Sequence, residues 1–267
     1  MRIMLFAGGI AGQAAAVRLA SACGDTLVGI VWDDVTGTRP NLPGLSFYQE
    51  ANCRGVGDTL FCSGFGRILP KDLLASFPRG AFNAHPSLLP NYRGRHAIQW
   101  AIAKGERELG VTVHRMSPEI DQGAALLVRR RYFGVAYNCA QISRELAEMA
   151  ADMLVELCTL LQKPAIPESP PALPTGPYWP RRRPEDGRLS WQDRGATILD
   201  QVRAGTDPYP AYAFLADGTK VAFTKYLASD TPGEVLYISP EGCLIATGDG
   251  VIWLVPDRPL ARGDILP

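Results

Sequence analysis

The sequence predicts an α/β protein: a mostly parallel, Rossmann-like sheet with helices on both faces, followed by a small β-rich carboxyl-terminal domain. Three observations carry this. Up to residue 162, short and nearly continuous apolar runs alternate with Ala-rich or amphipathic stretches, the pattern of parallel strands covered on both faces by helices. From Lys163 to Pro184 the chain is crowded with prolines and ends on Arg181-Arg182-Arg183, which reads as an extended linker. Beyond it, short β-like runs are set apart by Gly and Pro turns. The expected domains are therefore 1–162 and 185–267, joined by a linker over 163–184.

The elements follow in order. Ile3 to Ala7 is a strand that stops at Gly8-Gly9, Gly12 to Cys23 a helix, and Thr26 to Trp32 a second strand. Thr59 to Phe65 is a strand, Pro70 to Phe77 a helix opened by its proline, and Ala81 to His85 the next strand. Arg95 to Lys104 reads as a helix; Val111 to Met116 and Ala124 to Phe133 read as strands. Ile142, Leu146, Met149, Met153, Leu157 and Leu160 recur at helical spacing, so Asn138 to Gln162 is one long closing helix. In the tail, Thr197 to Ala204 is helical, with strands at Lys220 to Leu227, Glu234 to Ile238, Leu244 to Thr247 and Val251 to Val255.

Composition narrows the function. A chain of 267 residues, 46% hydrophobic and 20% charged, suits one substantial core with a smaller satellite and excludes a disordered chain. Lys plus Arg and Asp plus Glu both number 27, so no global positive field gathers nucleic acid or an acidic membrane. The cysteines Cys23, Cys53, Cys62, Cys139, Cys158 and Cys243 stand singly, without CxxC pairs, and are read as reduced structural thiols. With only three histidines, no metal site is expected. The first apolar run is too short for a signal segment, and no stretch reaches the roughly 20 apolar residues of a membrane span. A cytoplasmic address and no membrane partner are the expectation.

The chemistry concentrates in Phe82-Asn83-Ala84-His85-Pro86-Ser87-Leu88-Leu89-Pro90-Asn91-Tyr92-Arg93-Gly94. Residues two apart on a strand share a face, so Asn83 and His85 stand side by side at the strand's carboxyl end, where open α/β sheets bind ligands. Asp121, on the Gly-bearing loop after the next strand, can reach the same edge. An amide that donates to an oxyanion, an imidazole that moves a proton and a carboxylate that orients the ring are what acyl transfer to an amine requires. Gly8 and Gly9 do not fit the GxGxxG spacing and are read as a tight turn bordering a substrate cleft. Ser87, Tyr92, Arg93 and His96 are further substrate candidates on the rim, whereas His114 is read as packing or surface. Arg181 to Arg183, with Arg93 and Arg95, fit binding of the phosphates of an activated sugar or of an RNA backbone, and a solvated linker explains the triple Arg equally well.

This ordered set resembles the 10-formyltetrahydrofolate-dependent formyltransferases. The likeness rests on Gly64-Phe65-Gly66-Arg67-Ile68-Leu69-Pro70, on Phe82 to Gly94, on Gly110-Val111-Thr112-Val113-His114 and on Glu119-Ile120-Asp121-Gln122-Gly123, in order over about residues 60 to 160. It implies that Asn83, His85 and Asp121 are the catalytic trio, that Phe65, Arg67, Ile68, Leu69, Glu119, Ile120 and Asp121 hold 10-formyltetrahydrofolate, and that no metal takes part. Asp186-Gly187-Arg188-Leu189-Ser190-Trp191, with Asp207-Pro208-Tyr209-Pro210-Ala211-Tyr212, resembles the carboxyl-terminal domain of methionyl-tRNA and aminoarabinose formyltransferases, an OB-like barrel that this tail would form in shortened version. Among the family's amines, this tail and the short segment between the second strand and Thr59 favour a nucleotide-linked amino sugar. Nucleic acid is disfavoured, and a homodimer is expected from the sugar-acting relatives. Formylation of methionyl-tRNA and a non-catalytic folate- or nucleotide-binding module are the alternatives.

Overall fold

The computed structural model describes residues 1–163, 176–247, 250–254, 256 and 259–265. The chain divides into two compact units: Met1–Ala97, Leu109–Arg131 and Ser143–Pro180 form one, and Ile98–Glu108, Tyr132–Ile142 and Arg181–Pro267 the other.

The strands are β1 (Ile3–Ala7), β2 (Leu27–Trp32), β3 (Phe47–Tyr48), β4 (Thr59–Ser63), β5 (Ala81–His85), β6 (Arg93–Gly94), β7 (Glu108–Arg115), β8 (Ala125–Tyr132) and β9 (Tyr178–Trp179). The helices are α1 (Gly9–Cys23), α2 (Lys71–Ala75), α3 (Ala97–Ala103) and α4 (Cys139–Leu160). Seven strands form one sheet in the order β3-β2-β1-β4-β5-β7-β8. The pairs from β3 to β5 are parallel, and β7 returns antiparallel to β5. All five residues of β1 and of β4 are buried, which is why these strands read as unbroken apolar runs.

From β1 the chain passes through α1 toward one edge, and from β4 through α2 toward the other. Right-handed crossovers in opposite directions put α1 and α2 on opposite faces. The reversal lies between the carboxyl ends of β1 and β4, a topological switch point where such sheets open a crevice. There the Gly8 N–H donates to Ser63 O at 3.2 Å. Gly64 takes φ +67°, and a Cβ on it would lie 2.3 Å from Gly8 O, so only glycine lets the two loops approach. Met4, Phe6, Leu60 and Cys62 pack with Leu73 and Phe77 on one side of the sheet. In α4, Leu146, Met153 and Leu157 are buried at the spacing that marked the helix.

The second unit holds α5 (Gly195–Ala204), the antiparallel pair β10 (Ala211–Phe214) and β11 (Lys220–Phe223), and the antiparallel meander β12 (Val235–Ser239), β13 (Gly242–Ala246) and β14 (Val251–Leu254). Arg203 of α5 is fully buried. It is paired with Asp200 at 2.6 Å and donates to Gly134 O and Tyr137 O, each at 2.9 Å. Those acceptors satisfy a guanidinium that would otherwise be prohibitive to bury.

Several boundaries differ from the sequence reading. The strand expected to reach Phe65 ends at Ser63, where the glycine turn begins, and the one expected to reach Leu227 ends at Phe223. Val255 and residues 164–175 of the proline-rich segment lie outside the described residues. The same segment contains β9, whose Tyr178 and Trp179 pair in parallel with Arg93 and Gly94. Arg182 is not solvated: it is 1% exposed, donates to Asp186 O at 2.8 Å and lies over the Trp100 ring. No described helix is long and apolar enough to cross a membrane.

Candidate active site

Asn83 and His85 occupy alternate positions at the carboxyl end of β5, and the antiparallel register with β7 sets His114 directly opposite Asn83. The loop leaving β7 brings back Asp121, held at φ +53°. Its Oδ2 lies 3.5 Å from His85 Nδ1 and accepts the Gly94 N–H at 2.9 Å, while its Oδ1 lies 3.5 Å from His114 Nε2. Amide, imidazole and carboxylate thus converge at one sheet edge as the strand alternation implied. A second imidazole joins them.

The hydrogen bonds decide how the rings are oriented. Tyr92 O lies 3.0 Å from His85 Nε2 and can only accept, so Nε2 carries the hydrogen and Nδ1 presents its lone pair beside Asp121. By the same logic, His114 Nδ1–H donates to Arg115 O at 2.8 Å, leaving Nε2 to accept from the Asn83 amide nitrogen at 3.2 Å. That bond selects which end of the Asn83 amide faces His114 and leaves its second N–H for another acceptor. His114 is 2% exposed, so of the packing or surface reading the surface half is corrected: it packs inside, in polar contact with Asn83 and Asp121.

Electrostatics follow from burial. Burial disfavours the His85 imidazolium more than the Asp121 carboxylate and the Tyr92 carbonyl favour it, so its pKa falls below the usual 6.5. Burial also works against the Asp121 carboxylate, but at the acid pH where it titrates the protonated imidazoles beside it and the Gly94 N–H outweigh burial and hold the pKa at about 2. At neutral pH the site therefore pairs a neutral imidazole with an ionised carboxylate. A proton arriving at Nδ1 would meet its counter-charge already in place.

The other predicted residues are placed as follows. Tyr92, at φ +57°, stacks on Trp179 with centroids 5.4 Å apart, and His96 sits at φ +56° at the start of α3. Ser87 is buried, and its hydroxyl donates to Asn91 O at 2.7 Å, closing the turn that carries Tyr92. Arg93 is 8% exposed, and its Nε and Nη1 have no hydrogen-bond partner among the described residues. Leu69 is buried while Ile68 is 67% exposed, and Arg67 lies over the Phe65 ring and 3.3 Å from Glu50. Glu119 is exposed and Ile120 half-buried on the loop before Asp121. Gly8 and Gly9 stand at the switch point.

Two solved structures share this architecture. One is an N-formyltransferase from Helicobacter canadensis in complex with folinic acid and dTDP-3-aminofucose: TM-score 0.71, 15% identity, 94% of this chain and 97% of that one. The other is HypX from Aquifex aeolicus in complex with tetrahydrofolic acid: TM-score 0.65, 26% identity, 95% of this chain and 43% of that one. By sequence, a methionyl-tRNA formyltransferase from Syntrophus aciditrophicus is 33% identical over 202 residues, which are 74% of this chain and 64% of that relative. Residues 50–158 match the formyl transferase profile, and residues 182–259 match the formyl transferase carboxyl-terminal domain. The chain belongs to the formyl transferase family.

In this chain the sequence reading overlooked two contributors besides the polar contacts of His114. Tyr178 and Trp179 form the strand that braces β6, and their only signal was two adjacent aromatics among prolines. Arg95, a phosphate candidate in the sequence, donates to Gly66 O at 2.6 Å and ties the Phe65–Leu69 loop to the rim. A cleft of about 610 Å³ lies along Trp32, Tyr48, Glu50, Arg54 and Arg67. It shares Arg67 with the expected folate segment, and the trio does not line it. No group of metal-binding side chains occurs among the described residues.

Proposed function

We propose that this formyl transferase moves a formyl group from 10-formyltetrahydrofolate onto the amine of a nucleotide-linked amino sugar, with Asn83, His85 and Asp121 as its catalytic groups. The observation that carries the reading is the pairing of a neutral His85 with an ionised Asp121 beside an oriented Asn83 amide. The donor set fits the co-substrate: the segment from Arg67 to Leu69 offers the exposed Ile68 side chain to a flat heterocycle. Bound there, 10-formyltetrahydrofolate supplies an activated formyl carbon with a nitrogen leaving group.

The chain's own residues do the rest. Asn83 donates its free N–H to the formyl oxygen as negative charge develops on it. His85 Nδ1 takes the proton released by the attacking amine and returns it to the departing nitrogen, while Asp121 stabilises the transient imidazolium. Gly94 holds Asp121, and His114 holds Asn83. Gly8, Gly9, Ser87, Tyr92, Arg93 and His96 border the acceptor side, and Arg67, Ile68, Leu69, Phe65, Glu119 and Ile120 the folate side.

An amino-sugar nucleotide is supported by the Helicobacter canadensis neighbour, which matches over nearly its full length and was solved with such a molecule. It is also supported by Arg93, a buried guanidinium suited to an anionic substrate, and by a formal net charge of zero. Methionyl-tRNA is the second reading, favoured by the name of the Syntrophus relative. The test incubates the purified protein with 10-formyltetrahydrofolate and either dTDP- and UDP-linked 3- and 4-amino sugars or methionyl-tRNA, and detects product by mass spectrometry. Formylated sugar is expected. Formylation of methionyl-tRNA alone would replace the sugar reading, and folate binding without turnover of any amine would reduce the protein to a binding module. A homodimer in the cytoplasm belongs to the same proposal, and light scattering showing a monomer would remove the dimer from it.

A further inference from the structure

Asp33 follows β2 directly, and no step of the proposed reaction uses it. Its backbone N–H donates to Ala7 O at 2.8 Å, which carries the β1–β2 ladder one residue past the strand and fixes where its side chain begins. In dinucleotide-binding sheets an acidic residue about 20 positions after the glycine turn hydrogen-bonds a ribose. Here the carboxylate serves the chain itself. Asp33 is 4% exposed, its Oδ1 accepts the Val35 N–H at 3.4 Å, and its Oδ2 accepts the Gly66 N–H at 2.9 Å. With the strands in the order β2-β1-β4, this second bond passes across the end of β1 and joins the two sides of the switch point.

Gly66 is held from the other side as well, because its carbonyl oxygen accepts from Arg95 at 2.6 Å. Glycine has the widest backbone freedom of any residue, so an untethered Gly66 would let the segment after it swing. With its N–H fixed by Asp33 and its C=O by Arg95, the peptide planes on both sides of Gly66 are set. Arg67, Ile68 and Leu69 follow at once, and they border the folate side of the proposed reaction. Arg95 in turn follows Gly94, whose N–H donates to Asp121 Oδ2 at 2.9 Å, so the clamp also ties that segment to the catalytic carboxylate. From this arrangement we infer that Asp33 is a positioning residue for 10-formyltetrahydrofolate, holding Arg67, Ile68 and Leu69 in the conformation that receives it. The inference rests on the folate reading of the same site. Without the clamp the segment must be ordered at the moment of binding, which weakens affinity for the co-substrate, while Asn83, His85 and Asp121 keep their own contacts.

The test measures tetrahydrofolate binding to the full chain by calorimetry and, with the amine the parent accepts, the KM of each substrate and kcat. Asp33→Ala should weaken tetrahydrofolate binding and raise KM for 10-formyltetrahydrofolate by about tenfold, with kcat and the KM of the amine changed by less than about twofold. Asp33→Asn, which keeps an oxygen for the Gly66 N–H, should stay within about threefold of the parent. Arg95→Met removes the exposed half of the clamp and should act in the same direction, and its effect should be smaller in the Asp33→Ala background than alone. Parent-like binding by an Asp33→Ala protein whose circular dichroism matches the parent would overturn the inference, as would an Asn variant no better than the Ala variant or a fall in kcat with KM unchanged. Should Asp33→Ala not fold, parent-like binding by Arg95→Met would do the same. A parent that binds no tetrahydrofolate would instead remove the folate reading, and the inference with it.

Discussion

Replacing Asp121 with asparagine keeps the shape of the side chain and an oxygen for the Gly94 N–H, and removes only the charge. That charge faces His85 Nδ1 at 3.5 Å, where an imidazolium would interact with it by on the order of 4 kcal/mol at an effective dielectric of ~20. The asparagine dipole returns part of this, leaving a loss of about 3 kcal/mol when His85 takes up its proton, or a fall of about 10²-fold in kcat. KM for both substrates should change little, because the charge matters most as the proton arrives. The folded state should also lose stability. A carboxyl held at about 2 rather than the usual 3.8 contributes about 2 kcal/mol at neutral pH, which asparagine cannot supply. The assay is steady-state formyl transfer to an amino-sugar nucleotide, alongside thermal unfolding of both proteins. An Asp121→Asn protein within fivefold of the parent kcat would refute the counter-charge role.

Further expectations concern the residues around that charge. The acid limb of kcat/KM should fall below pH 6.5, because burial lowers the pKa of His85; a limb above 6.5 would contradict the neutral imidazole. Stability should decline in two steps on acidification. From about pH 6.5 downward the unfolded chain takes up a proton that buried His85 resists, and from about 3.8 toward 2 the Asp121 carboxylate is lost, so urea unfolding across this range should show both. His114→Phe should lower kcat by about tenfold by freeing the Asn83 amide to rotate, a loss of ~1.4 kcal/mol. The same change in an Asn83→Ala background should cost almost nothing, and additive losses would show that the two act independently. Gly94→Ala should destabilise the first unit by about 1–3 kcal/mol, since φ is +101° and the new Cβ would lie 2.4 Å from Trp179 O; an unchanged melting temperature would deny that β6 and β9 are held by this approach.

What could be read from the sequence follows from range. β1, β2, β4 and β5 announce themselves because each strand is buried on both faces, so its own residues record its environment. Asn83 and His85 were legible for a similar reason: strand alternation alone places them together. β6 and β9 were not, because two-residue strands have no periodicity and each exists only through the other. Arg182 and Arg203 are buried against the usual preference of arginine, and nothing local foretells the carbonyls and carboxylate that accept their protons.

His114 exposes the deeper dependence of the site on sheet register. It belongs to the cluster because β7 runs antiparallel to β5 with Asn83 opposite His114 and His85 opposite Thr112. The Thr112 hydroxyl donates to Ser87 O at 2.8 Å and accepts the Leu89 N–H at 3.1 Å, so the turn after β5 is clamped to the strand that supplies His114. A slip of one residue would turn His114 to the opposite face and break both bonds at Thr112. The Asn83 amide and the turn that carries Tyr92 to His85 are therefore positioned by one register. Thr112→Val, which keeps the shape and removes both hydrogen bonds, should reduce turnover without touching any group that moves a proton.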